Sequence, residues 1–296
     1  METSSQIYVN PLSDAGFKAL LCDPANKPVL IGMLNAFLPP DRTVEDLEYA
    51  TTEIPGLTLA GKASRVDLRC TDTRGRSFIV EVQRSPQPHF FRRCVYYASR
   101  IYALGARRGD GQRYDILPVY LVALLDRGFG FRRDPSEWEG RYVSRYTFRE
   151  KETGQVEDET ISIIFVELDR FGKEEFGECA GAAEEWCWML KNMWRLQPGA
   201  AEYPGFEGML AAGEIAGFSK EKRAKYDTDM ITERDYYNIL ETAKKEGEAK
   251  GREAGLAEGE AKGKTEVAKN MLASGMPEEQ VMAMTGLTAE QLAALK

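Results

Sequence analysis

SRVDLRCTDTRGRSFIVEVQR, residues 64–84, decides how the rest of the chain is read. It holds two β-prone runs around a polar turn that contains a glycine. In the second run Phe78, Val80 and Val82 line one face, while Glu81 and Gln83 fall on the other. One more acid, Asp67, precedes the turn. Whether Asp67 and Glu81 meet depends on register. A two- or four-residue loop centred between Thr73 and Arg74 pairs positions summing to 147 and puts the two acids on opposite faces. A three-residue loop, Thr73-Arg74-Gly75, pairs positions summing to 148 and sets Asp67 across from Glu81. The second loop needs a left-handed residue at its last position, and Gly75 is the residue type that adopts it. The sequence therefore favours the register in which the carboxylates face each other, with Gln83 on the same side.

Directly opposed carboxylates lie about 5 Å apart. They repel, raise each other's pKa and cost free energy unless a cation neutralises them. Magnesium suits such a pair, because it is a hard ion that takes one or two carboxylates, carbonyl oxygen and waters, and it can clamp a phosphate. Asp67, Glu81 and the Val82 carbonyl would form its seat. The same residues also allow a plain exposed face, with Asp67 and Glu81 paired to Arg65, Arg69 or Arg84.

Composition bounds the alternatives. The 296 residues are 43% hydrophobic and 29% charged, as in a globular protein of one large domain with appendages or of two domains. No run approaches the length of a membrane span, and METSSQIYVNPLSD lacks the basic and apolar regions of a signal peptide, so the expectation is a cytoplasmic protein without membrane contact. Five cysteines without a C-x-x-C suggest neither a disulfide framework nor a zinc ribbon. His89 is the only histidine, which rules out multi-histidine metal sites and leaves oxygen ligands. The net charge is −8, yet residues 62–149 carry 18 Lys or Arg against 9 Asp or Glu. Such an asymmetry lets a protein that is acidic overall present a basic region to a polyanion; an arginine-rich solvated surface would read the same way.

Outward from the hairpin, Ser13 or Asp14 can cap a helix with Phe17, Leu20 and Leu21 at helical spacing, and KPVLIGMLNAFL predicts a second helix. TVEDLEYATTEIPG has room for a short strand. In residues 88–108, Phe91, Val95, Ala98, Ile101 and Tyr102 recur at three-to-four-residue steps and predict an amphipathic helix. ILPVYLVALLD reads as a central strand covered on both sides, RYVSRYTFRE and TISIIFVELDRF as two more strands, and EEWCWMLKNMW as a helix. Together they predict a mixed α/β sheet flanked by helices over residues 1–172, a helical extension over 173–240, a glycine-repeat segment over 241–269 and a small helical module over 270–296. In the third part Gly247, Gly251, Gly255, Gly259 and Gly263 recur every four residues among helix formers, at about 1 kcal/mol each relative to alanine. That stripe reads either as a place where two helix backbones approach or as a linker. Residues 1–225 are expected to fold alone. VAKNMLASGMPEEQVMAMTGLTAEQLAALK, residues 267–296, reads as three short helices spaced like a helix-turn-helix, but Lys269 and Lys296 are its only basic residues, so an interaction module fits it better than a groove reader.

A carboxylate, a hairpin, a Glu-x-Gln and a helix bearing arginine and tyrosine resemble the PD-(D/E)XK nuclease superfamily, and within it the transposase branch known as the recombination-promoting nuclease family. The likeness runs in order through YVNPLSDAGFKALL, LNAFL, VDLRCTDTRGRSFIVEVQR, RRCVYYASRIYALG with YDILPVYLVALLD, FVELDRF and the glycine-repeat tail. It implies a restriction-endonuclease-like fold and a DNA endonuclease that uses magnesium or manganese, linked to transposition-like recombination and acting on double-stranded DNA. Asp67 and Glu81 would be the metal ligands, and Gln83 stands where the superfamily usually has a lysine. Glutamine brings no charge; either Lys18, with Asp14 four residues before it, supplies that charge, or the two form a surface pair. Arg84, Arg92, Arg93, Tyr97 and Arg100 are candidates for DNA contacts, and His89 is incidental. The competing readings are a nucleic-acid-binding protein of the same fold whose chemistry has lapsed, and a protein that self-associates through its C-terminal tail as a homodimer or higher homo-oligomer.

Overall fold

The computed structural model describes residues 6–56, 63–106, 115–127, 140–156, 158–197, 199 and 202–295. Arg107, Arg108, Arg113, Arg132 and Arg133 of the basic stretch lie outside them. The described chain divides into two compact units, residues 1–231 and 232–296.

A strand with no polar face can survive only in the middle of a sheet, and β6 (Val119–Leu125) is buried at every position. It sits between β5 (Ser77–Gln83) and β8 (Ile161–Glu167), parallel to both. The hairpin partner β4 (Leu68–Asp72) runs antiparallel to β5, and β1 (Leu47–Tyr49) and β7 (Val143–Tyr146) close the edges, giving the order β1-β4-β5-β6-β8-β7. The segment expected to hold one short strand holds two, since β2 (Glu53–Ile54) pairs with β3 (Ser64–Arg65) in a separate ribbon.

Helices cover both faces. On one, Leu68, Cys70, Phe78, Val80, Tyr120, Val122 and Ile164 pack with α1 (Asp14–Leu21), α2 (Lys27–Phe37), α4 (Ala182–Asn192) and α5 (Glu207–Gly213). Ser13 caps α1 by accepting the Gly16 N–H at 2.9 Å, and Asp14 is the first helical residue. The other face, with Ile79, Leu121, Ala123, Ile163 and Phe165, is covered by α3 (Phe90–Leu104). Here the sequence reading of the helix holds in part: Ala98 and Ile101 are buried as expected, and Phe91 and Tyr102 pack against the same core. Phe90, Cys94, Ala98 and Ile101 carry the buried stripe, and Val95 is 38% exposed. The helix begins at Phe90, behind a left-handed His89 (φ 64°), and that start sets its phase.

α6 (Lys220–Ala273) starts in the first unit, where Tyr226 is buried and Met230 packs beside it, and continues into the second. All five repeat glycines lie on α6, exposed, with open space around each. In the second unit the end of α6 packs with α7 (Glu278–Thr285) and α8 (Ala289–Ala293) through Ala268, Val281 and Leu292. The first of the three expected short helices is thus the end of a 54-residue one. Gly275 turns the chain with φ 82°, and Thr288 and Gln291 form a capping box on α8.

Candidate active site at the hairpin

The hairpin takes the three-residue loop. Leu68 pairs with Val80, Arg69 with Ile79, Cys70 with Phe78 and Thr71 with Ser77, which are pairs summing to 148. Gly75 has φ 82°, and its N–H donates to the Asp72 carbonyl at 2.9 Å. The loop is also templated by a side chain that the sequence reading passed over. One Asp72 carboxylate oxygen accepts the N–H groups of Arg74 (3.0 Å) and Arg76 (2.8 Å), while the other holds the buried Arg76 guanidinium at 2.6 Å. Arg76 also donates to the Thr43 carbonyl at 2.9 Å, which ties the hairpin to the chain before β1.

One position beyond the last paired residues, Asp67 faces Glu81, and each carboxylate closes the gap with the opposite backbone. Asp67 Oδ2 accepts the Val82 N–H at 2.9 Å, and Glu81 Oε1 accepts the Asp67 N–H at 3.2 Å. Glu81 is only 4% exposed, on the sheet face that α3 covers. Burial, and after it the Asp67 charge, push the Glu81 carboxyl up to about 8. Crowding of its carboxylate also raises Asp67, with the Val82 N–H opposing; Asp67 as a residue is exposed, so solvent tempers that shift more than it does for Glu81. Among the described residues, no three His, Cys, Asp or Glu side chains gather into a ligand set. Two carboxylates that each keep an oxygen beyond the one bonded to backbone suit magnesium or manganese, which complete their shells with waters and carbonyl oxygen. They do not suit a structural zinc cage.

The cation beside Glu81 is Arg93, from the second turn of α3. Its Nη2 lies 3.9 Å from Glu81 Oε2 and donates to Gln83 Oε1 at 3.0 Å, and its Nη1 donates to Gln87 at 2.6 Å. Gln83 donates its own N–H to the Ser85 carbonyl at 2.8 Å. Tyr97, one turn on, is half-buried, and its hydroxyl is pushed up by burial and then by Glu81. Lys18 pairs with Asp14 at 2.5 Å on an open surface; partial burial lowers its pKa, but the Asp14 bond and the charges of Asp14, Asp229 and Asp67 outweigh this and raise it. Asp67 in turn feels the charges of Asp14 and Lys18 from α1.

A scan against protein-family models matches residues 11–243 to the PD-(D/E)XK nuclease family transposase and residues 262–296 to the C-terminal helix-turn-helix domain of the Rpn/YhgA-like nuclease family. The chain belongs to the PD-(D/E)XK nuclease family transposases. No curated protein and no solved structure gives a match. Asp67 lies against Glu81 and Val82, and Gln83 ends β5 two residues beyond Glu81.

The candidate DNA-contacting residues separate. Arg92 is exposed and Arg84 reaches Asp126 at 3.7 Å. Arg93 sits beside the carboxylate pair with its side chain only partly buried. Arg100 is corrected: only 9% exposed, it donates to the Pro55 carbonyl at 2.5 Å, so it ties α3 to the loop after β2 instead of facing a phosphate. His89 is exposed at the start of α3. Sequence reasoning also missed the Cys22 thiol, 3.8 Å from the Asp67 carbonyl and pushed up to about 12 by burial and then Asp67, which leaves it a protonated, inert group. No spacing signal links position 22 to position 67.

Proposed function

We propose that this nuclease-family chain is a metal-dependent endonuclease acting on double-stranded DNA, in the service of transposition-like recombination in the cytoplasm. The observation that carries the reading is the Asp67–Glu81 pair, opposed across the hairpin with each carboxylate keeping an oxygen beyond the one bonded to backbone. Asp67, Glu81 and the Val82 carbonyl would hold magnesium or manganese. That ion, when bound, would neutralise the pair, lower the pKa of a bound water and stabilise charge on phosphorus. The chain's own residues do the rest. The hairpin fixes the two carboxylates, α3 excludes water from the Glu81 side, and Arg93 brings positive charge to the pair. Exposed Arg92 would contact the backbone of the duplex. Incubating purified protein with supercoiled plasmid, with and without magnesium, tests the reading: nicked or linear product only with the metal is expected, and intact plasmid with both magnesium and manganese would overturn it.

Two features favour a further role for the tail. The glycine stripe of α6 is exposed, and so are Ile239 at 67% and Leu256 at 67%. Both suit a second copy of the chain, and a dimer would bring two sites to the two strands of a duplex. The C-terminal helix-turn-helix has three glutamates and no basic residue on α7 and α8, so protein contact suits it better than the DNA groove.

A further inference from the structure

Gln83 stands where the superfamily pattern has a lysine, and both ends of its amide are already engaged, Oε1 by Arg93 and Nε2 by the Ser85 carbonyl. The positive charge comes from elsewhere. The Arg93 guanidinium is held by Gln83 at 3.0 Å, by Gln87 at 2.6 Å and over the Phe90 ring at 4.8 Å. These three anchors, from the end of β5, the loop after it and the first residue of α3, fix a side chain that would otherwise sample many rotamers. They fix it 3.9 Å from Glu81, yet the side chain stays 35% exposed, so a substrate can reach it. The alternative cation, Lys18, is bonded to Asp14, and its side chain is 47% exposed. We propose that Arg93 is the cationic group that meets the scissile phosphate at the Asp67–Glu81 pair, and that Gln83 is a positioning residue that aims it. The charge of the missing lysine has in effect moved from strand β5 to helix α3. A planar fork also gives two parallel donors to phosphate oxygens, which an ammonium cannot.

This inference rests on the nuclease reading above, and its test separates the two. Wild type, Arg93→Ala, Arg93→Lys, Gln83→Lys and the double variant Arg93→Ala/Gln83→Lys are compared in two assays. The first is magnesium-dependent plasmid cleavage. The second is binding of a short duplex in calcium, followed by fluorescence anisotropy across potassium chloride concentrations. Arg93→Ala should cut about 100-fold more slowly, the scale of losing one preorganised donor at developing charge. Its logarithmic salt slope should fall by about 0.9, one phosphate contact. Arg93→Lys should keep the salt slope and lose part of the rate, and the double variant should recover at least about tenfold over Arg93→Ala. Cleavage by Arg93→Ala at the wild-type rate, or a double variant no faster than Arg93→Ala, overturns the role of Arg93 and leaves the nuclease reading intact. If wild type does not cut at all, the nuclease reading fails and the salt slope alone decides: a fall of one contact in Arg93→Ala upholds the phosphate contact, and an unchanged slope overturns it.

Discussion

Glu81 accepts the Asp67 N–H with one oxygen and faces Arg93 with the other, so removing the side chain and removing its charge are different experiments. Alanine at either acid would leave a backbone N–H without its acceptor. Amides keep the acceptor and lose the charge. Asp67→Asn and Glu81→Gln should therefore remain folded by circular dichroism while metal-dependent cleavage falls by about 100-fold or more; cleavage within a few-fold of wild type in both would remove them from the site. A pH dependence follows as well. Because burial raises the Glu81 carboxyl to about 8, the folded metal-free protein holds this proton more tightly than the unfolded chain. The stability it contributes is fully present below the ordinary carboxylate range and is lost as pH rises through about 8. In EDTA at pH 9, Glu81→Gln should unfold about 5 °C above wild type, with the gap closing toward pH 5. An equal gap at both pH values would mean that Glu81 titrates like an exposed acid.

The hairpin was legible because its signals are local: alternation set the faces and one glycine set the register. Gly75→Ala must force an L residue to φ 82° with its Cβ 2.8 Å from Leu117 Cδ1, and should cost about 1–2 kcal/mol in urea denaturation. Asp72→Ala should cost more, about 3–5 kcal/mol, since it strands the buried Arg76. Similar losses for both variants would show that the loop is held by its glycine rather than by the ion pair. What the sequence hid is tertiary. The phase of α3 depends on where the helix starts, which apolar spacing alone does not fix, and so Val95 was read as buried and Phe90 was overlooked. Arg100 looked like a surface arginine because its acceptor, the Pro55 carbonyl, lies on a distant part of the chain. Arg93 could be placed on the helix but not against Gln83, ten residues earlier, until the turn between β5 and α3 had a shape.

At the scale of the whole chain, the first unit carries the sheet, both helical layers and the carboxylate pair, and Tyr226 is part of its core. A truncated protein should therefore end after residue 231 rather than at 225. It should fold and be monomeric, whereas the full chain should scatter light as a dimer; equal masses per chain in the two would make the glycine repeat a linker. Within that first unit the fold is held by two apolar layers, and the acid pair contributes hydrogen-bond acceptors that an amide supplies equally well. A glutamate codon becomes a glutamine codon through one base change. The reciprocal closure of the hairpin thus leaves a short evolutionary path along which a lineage loses the charge of the pair in a single generation and keeps an intact, expressible protein, available for selection on whatever its remaining surface and its tail can do.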